Sequence, residues 1–477
     1  MPRRHLVRPI AGLGVLVLVA ACGGMPTATG GPPSATALAS PVASSSAVAP
    51  SAAASIAAAA PSAMLGPTTG ALTLVEPLRD VSAAVGSVAL TPAGSLVATE
   101  AGADQSLHAL DCAASCGDPA TWTDTLLDPG VAWANPIVRA RDDGSLVAVA
   151  DGRAAGQPTE AIGTCASSCD KPASWHWALI PLPAGSSGQR DPSRDVAVGG
   201  DAMVIGLGSG SPMSALVCGG TCDHPASWAR IVLSAGACTA PSVAASPAGA
   251  MAIACATRST ASATAESVDV WSCPGQCTNQ INWGGVSGVA SGSGLAVDVT
   301  VGPGGSVNAA VDLGTQANTA MSHHLGWFQR LGGCATPASW HGIEVGTETL
   351  YGHRLAAATD GQGRSVVAYD GTSSAGSGLL AAVCTAGCLK AASWSVVLLD
   401  DATRLSAQIA VTAPPGCTTV AWVPASVTDI ALRGAWAAIA SGYDAVGSGG
   451  SCAADPHTPG AGFQPIRSVV SLAVLGP

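Results

Sequence analysis

The sequence predicts an all-β protein built from one repeated unit, and two periodic features carry that reading. A cysteine followed six residues later by a tryptophan occurs six times: Cys116/Trp122, Cys169/Trp175, Cys222/Trp228, Cys277/Trp283, Cys334/Trp340 and Cys388/Trp394. These tryptophans stand 53, 53, 55, 57 and 54 residues apart, a period at which one supersecondary unit stacks to bury a face it cannot bury alone. About 30 residues before each Cys/Trp element, two apolar strands flank a turn rich in Gly, Pro or Asp, which is a hairpin signal. The turns fall at Pro92-Ala93-Gly94, Asp142-Asp143-Gly144, Gly199-Gly200-Asp201, Pro247-Ala248-Gly249, Pro303-Gly304-Gly305, Gly361-Gln362-Gly363 and Pro414-Pro415-Gly416. A third strand leads into the cysteines, as in Ser106–Leu110, and a fourth starts at the tryptophan, as in Trp394–Leu399. Four antiparallel strands per unit describe a β-propeller blade. Seven hairpins against six Cys/Trp modules give seven blades, with six as the alternative count. The last blade is closed by pairing Ala71–Val75 with Val469–Val474.

Ahead of this domain, residues 1–21 read as a signal peptide: Arg3, Arg4, His5 and Arg8 precede a short apolar run from Ile10 to Ala21. That run is shorter than the roughly 20 residues a membrane-spanning helix needs. Val19-Ala20-Ala21-Cys22 resembles the bacterial lipobox, which implies lipidation of Cys22 and anchorage to the extracytoplasmic side of the cell envelope. Residues 22–70 are almost entirely Ala, Ser, Pro, Thr and Gly, a composition that cannot bury a core and reads as a disordered tether. The propeller occupies residues 71–477.

Lysine occurs only at Lys171 and Lys390, and the formal net charge is -11. A basic footprint for nucleic acid is therefore absent. No P-loop, EF-hand or Ser/His/Asp arrangement is present, no catalytic residue is assigned, and no metal or other cofactor is implied. His323-His324 lies on a third strand, where adjacent side chains point to opposite faces and cannot share a metal.

Five modules carry Cys-x-x-x-Cys: Cys112/Cys116, Cys165/Cys169, Cys218/Cys222, Cys273/Cys277 and Cys384/Cys388. In an exported chain these read as disulfides, and bridging residues four apart requires a tight turn. Thiolate coordination of zinc is the competing reading, opposed by the distance of a whole blade between pairs. Cys238/Cys255 flank the Pro247 turn and Cys417/Cys452 flank the last blade, so both are expected to pair. Cys334, whose partner position is held by Arg330, is left over.

At the turn between third and fourth strands the chain resembles the Asp-box of the sialidase/BNR-repeat family, Ser-x-Asp-x-Gly-x-Thr-Trp. Ser174-Trp175, Ser227-Trp228, Ser339-Trp340, Ser393-Trp394 and Thr121-Trp122 match its end, and Asp170 and Asp223 stand at its Asp position. Pro119, Pro172, Pro225 and Pro337 replace its Gly, and the module around Trp283 has lost most of it. The resemblance implies a propeller in which Trp122, Trp175, Trp228, Trp283, Trp340 and Trp394 are repeat core. It also raises a sialidase-like glycoside hydrolase as an alternative function, with three arginines clasping a carboxylate beside a Tyr nucleophile. Arg139, Arg194 and Arg354 fall on innermost strands and are the anion-binding candidates, with Tyr351, Tyr369 and Tyr443 the available tyrosines. The family's Arg-Ile-Pro signature is absent.

The reading that the sequence favours is a monomeric, membrane-tethered binding or scaffold module for a glycan or envelope protein. Trp133, Trp177, Trp271, Trp327, Trp422 and Trp436 lie outside the repeat; exposed pairs among them would favour sugar stacking.

Overall fold

A computed structural model describes residues 84–400 and 419–448, apart from several loop segments between strands, together with strands at 73–75 and 466–474. The signal peptide, Cys22, the tether, Cys334, Cys417, Cys452 and the Pro414-Pro415-Gly416 segment lie outside the described residues.

The chain is all-β. Successive sheets are β2 (Ala84–Leu90), β3 (Leu96–Ala101), β4 (Leu107–Cys112) and β5 (Thr123–Asp128); then β6 (Trp133–Ala140), β7 (Leu146–Ala154), β8 (Gln157–Cys165) and β9 (His176–Pro181). Next come β10 (Asp195–Gly199), β11 (Ala202–Leu207), β12 (Met213–Gly219) and β13 (Trp228–Ser234), followed by β14 (Ser242–Ala245), β15 (Met251–Arg258), β16 (Glu266–Cys273) and β17 (Gly284–Gly292). Then follow β18 (Val297–Val301), β19 (Val307–Ala317), β20 (Ala320–Arg330) and β21 (Trp340–Glu344), and β22 (Thr349–Thr359), β23 (Ser365–Ser373), β24 (Gly376–Cys384) and β25 (Trp394–Asp400). The last sheet joins both ends of the described chain, in the order β1 (Thr73–Val75), β28 (Ile466–Val474), β27 (Trp436–Ser448) and β26 (Thr419–Arg433).

These seven four-stranded antiparallel sheets are propeller blades, since their innermost strands neighbour one another in the closed order β2, β6, β10, β14, β18, β22, β26 and back to β2. Closure pairs Thr73 with Leu472 and Val75 with Val470, as the terminal sequences lead one to expect. One hairpin is corrected: the last blade turns at Gly434, between Arg433 and Trp436, and not at Pro414–Gly416. Cores lie between blades, where Val, Leu, Ile and Ala from facing sheets interdigitate; Trp122, for example, packs with Leu96, Trp436 and Leu472.

The Cys/Trp module is self-contained. In each bridged module of this type the Cα atoms stand 5.6 or 5.7 Å apart. Closing so short a ring puts the residue before the second cysteine into the left-handed region in four of them: Ser115, Ser168, Gln276 and Gly387, at φ 55°, 55°, 52° and 67°. Glycine adopts that conformation without a Cβ penalty, so of these four only the sixth sheet's module, with Gly387, meets it free of strain. The proline that replaces the Asp-box glycine starts a single 3-10 turn, as at Pro172–Ser174, because its fixed φ and missing N–H suit a first helical position. The turn delivers the tryptophan, whose indole N–H donates to the carbonyl of the second cysteine: Trp122 to Cys116 (3.0 Å), Trp175 to Cys169 (3.0 Å), Trp228 to Cys222 (3.0 Å), Trp283 to Cys277 (2.8 Å) and Trp394 to Cys388 (2.9 Å). Cys238 and Cys255 are also bridged.

Candidate binding site on the propeller axis

The inner strands enclose an axial cavity of about 1610 Å³, lined by small side chains and by one polar ring. The ring follows from register. Residues at one level of the first strands line the cavity: Ser87, Ile137, Asp195, Ser242, Asp298, Ala356 and Asp429, on β2, β6, β10, β14, β18, β22 and β26. Four of the polar members accept a backbone N–H of the next blade, while Ser87 Oγ lies within hydrogen-bond distance of the Val138 carbonyl there (3.1 Å). Asp429 accepts from Val88 (3.0 Å), Asp195 from Val243 (2.9 Å), Ser242 from Val299 (2.8 Å) and Asp298 from Ala357 (2.5 Å). The side chains thus stitch neighbouring blades together at the axis, where no sheet ladder joins them.

Arg139 spans the ring. Its Nη1 donates to Asp429 (2.7 Å), Ser87 Oγ (2.7 Å) and the Val138 carbonyl (2.9 Å), its Nη2 to Asp195 (3.1 Å) and its Nε to the Val196 carbonyl (2.7 Å). Ser87 Oγ also donates to Asp429, and Ser242 Oγ to Asp298, in short contacts. Burial works against the Arg139 charge, yet Asp429 and Asp195 outweigh it and hold the guanidinium above its ordinary range. Burial pushes Asp195 up, with Arg139 opposing. Burial, then the neighbouring Asp195 charge, pushes Asp298 to about 7 against the bonds from Ser242 and Ala357. The axis therefore carries three carboxylates and one guanidinium, and among the described residues no group of three His, Cys, Asp or Glu is placed to hold a metal ion.

At one mouth of the cavity stand the hairpin turns of the blades, and the disulfide loops share that end: Cys222 Sγ lies 3.3 Å from the Asp201 carbonyl and Cys277 Sγ 3.6 Å from that of Gly249. One side of this mouth carries Arg141, Asp142, Asp360 and Arg433; the other is bare Gly, Pro and Ala around Gly200, Pro247 and Pro303. Asp143 is turn chemistry, accepting from the Ser145 N–H (2.9 Å) and hydroxyl (2.7 Å), which holds its carboxyl below the usual range.

Of the three arginines singled out in the sequence, Arg139 reaches the axis, where its own carboxylates occupy it. Arg194 lies outside the described residues, and Arg354 stands on β22 with its side chain outside them. Tyr369 is core. His323 and His324 face opposite ways, His323 Nδ1 to Asp312 (2.9 Å) and His324 Nδ1 toward Glu344 (3.3 Å). Trp271, Trp327 and Trp436 are buried, and half-buried Trp177 stacks on Trp175 with ring centroids 6.1 Å apart. No exposed tryptophan pair is present among the described residues.

The ring was missed in the sequence although it leaves a trace. A polar residue followed by Val or Ile recurs in the first strand of five blades: Ser87-Val88, Asp195-Val196, Ser242-Val243, Asp298-Val299 and Asp429-Ile430.

No known family model matches the sequence, and no curated protein matches it. Among solved structures, the chain is similar to a protein of unknown function from Dyadobacter fermentans, with 13% identity, 85% of this chain and 98% of that one covered, and a TM-score of 0.42. It is similar to an α-L-arabinanase of Penicillium chrysogenum, at 12% identity, 85% and 98% coverage and a TM-score of 0.41. A third is the Aleuria aurantia lectin, at 14% identity, 66% and 95% coverage and a TM-score of 0.35. At these identities and scores no residue role transfers to this chain.

Proposed function

We propose that the protein is a membrane-tethered, extracytoplasmic seven-bladed β-propeller that serves as a binding module, with the axial cavity as its receptor site and a glycan as the ligand class. The carrying observation is the cavity itself: about 1610 Å³ of space with carboxylates around its waist. Carboxylates accept hydrogen bonds from hydroxyl groups without needing a charged partner, and sugars offer such donors in number. With Trp271, Trp327 and Trp436 buried and Trp177 stacked on Trp175, recognition here is read through hydrogen bonds at the axis. Arg139, already bonded to two carboxylates, is no clamp for an anion. The disulfide in each bridged module suits an exported protein, and the Cys22 lipobox supplies the tether.

Calorimetric titration of the purified mature protein with soluble cell-wall glycan fragments tests the reading, alongside the Ala248→Trp variant, which fills the mouth without touching the ring. Binding by the wild type and its loss in A248W supports the axial site. Binding that survives A248W moves the ligand off the axis, and no binding to any fragment removes the glycan.

A further inference from the structure

The axial ring has an unequal distribution of charge. Arg139 gives one edge of its guanidinium to Asp429 and another to Asp195, whereas the Asp298 oxygens are met by two neutral donors, the Ser242 hydroxyl and the Ala357 N–H. Facing Asp298 are Ser242 from β14, the β22 backbone and Thr359 beside Thr300 (2.7 Å), with Asp195, Asp429, Arg139 and Ser87 across the axis. Arg354 stands on β22 with its side chain outside the described set, and Arg194 lies outside it altogether.

We propose that this ring is a proton-operated clasp: Asp298 holds a proton in the closed propeller and surrenders it as the medium turns alkaline, so that closure of blades four, five and six responds to pH. The geometry suits it. Asp298 and Ser242 lie within hydrogen-bond reach of each other, and a hydroxyl both donates and accepts. A proton can therefore be stored on the carboxyl, donated to Ser242 Oγ, and released without moving a heavy atom. Its release puts a further negative charge beside Asp195 and Asp429 in the lining of the axial cavity, with one guanidinium among the three. The rise of Asp298 to about 7 has burial and Asp195 as its causes.

The sign follows from linkage. A carboxyl that is raised in the folded state makes the folded state hold a proton that the unfolded chain gives up, so its contribution is present at acid pH and is lost as pH rises toward the folded value. Between the unfolded and folded values the loss amounts to at most about tenfold in the folded-to-unfolded ratio per pH unit, and above the folded value it levels off.

The proposal rests on the ring and not on the ligand reading, and its test uses the ligand-free full chain, so the two fail separately. Infrared titration in D₂O should show a protonated-carboxyl band near neutral pD to which Asp298 and Asp370, both pushed by burial to about 7, contribute, and the wild-type minus Asp298→Asn difference should isolate one carboxyl that deprotonates with a midpoint near 7. Asn mimics the neutral acid, so D298N should lose less melting temperature than the wild type between about pH 4 and 7, the remaining slope coming from the other raised carboxyls, Asp370, Asp111 and Asp312. Amide exchange at Ala357 in the wild type should accelerate beyond base catalysis by up to about tenfold per unit as pH rises from about 4 to the midpoint, and level off above it. A wild type with no protonated carboxyl above about pH 5, close to free aspartic acid, or a D298N variant with the wild-type pH slope, overturns the proposal. Should D298N not fold, the wild-type infrared and exchange measurements decide it, with Ser242→Ala expected to move the midpoint.

Discussion

Replacing Arg139 by Met removes a cation from between Asp195 and Asp429 while keeping most of the side-chain volume. The variant loses five hydrogen bonds from the guanidinium and leaves two carboxylates facing each other across the axis. Stranding a buried charge costs about 3–5 kcal/mol. The Arg139 side chain is 21% exposed and those of Asp195 and Asp429 are 24% and 10% exposed, so water in the cavity screens part of this and about 2–3 kcal/mol is expected near pH 8. The loss has a sign with pH. Burial already pushes the Asp195 carboxyl up and Arg139 opposes it, so without Arg139 that group is neutralised more readily on acidification and the deficit shrinks toward about pH 4. Urea unfolding followed by tryptophan fluorescence at pH 8 and pH 5 measures both values. Adding Asp429→Asn to R139M should restore about half of the loss at pH 8, since the two side chains are directly coupled. An R139M deficit under about 0.5 kcal/mol, the range of an ordinary surface change, or one equal at both pH values, would refute the ring as an electrostatic closure.

Three further outcomes are expected. Replacing Cys112 and Cys116 together by Ser removes a very small ring and should cost about 2 kcal/mol by loop entropy, read as a shift in the urea midpoint with the slope unchanged. Gly285→Ala places a Cβ 2.4 Å from Trp271 Nε1 on the paired strand, and the displaced indole should cost about 1–3 kcal/mol and red-shift the tryptophan emission. Cys22→Ser should move the protein from the membrane to the soluble fraction while leaving the unfolding transition unchanged; retention of the variant at the membrane would remove the lipid tether.

The blades were legible because their signals are local. Cys112/Cys116/Trp122 and its repeats lie within 11 residues, and each disulfide and indole bond forms inside that span. The terminal strands were legible for another reason, since an open sheet edge needs a partner. The last hairpin was misplaced because Pro-Pro-Gly is a stronger turn signal than Arg433-Gly434-Ala435, and only the pairing of β26 with β27 shows where the chain reverses. Trp177 and Trp271 were candidate sugar platforms, but cross-strand Gly163 and Gly285 leave room for their rings to lie down on the sheet. The axial ring was least legible. Its members are separated by about one repeat each and meet only when the circle closes, so no window along the chain contains two of them.

The short spacing of the paired cysteines also bears on how the chain is oxidised. Five of the six described bridges join residues four apart, and the chance encounter of two thiols falls with the length of chain between them. Each native partner is therefore the nearest thiol, found before distant strands meet. The sixth bridge, Cys238–Cys255, closes over a separation of 17 and is the one exposed to competition. A chain that leaves its compartment of synthesis unfolded can in this way reach its correct sulfur pairing with little reshuffling, and the slow step left to it is drawing the first and last strands into one sheet.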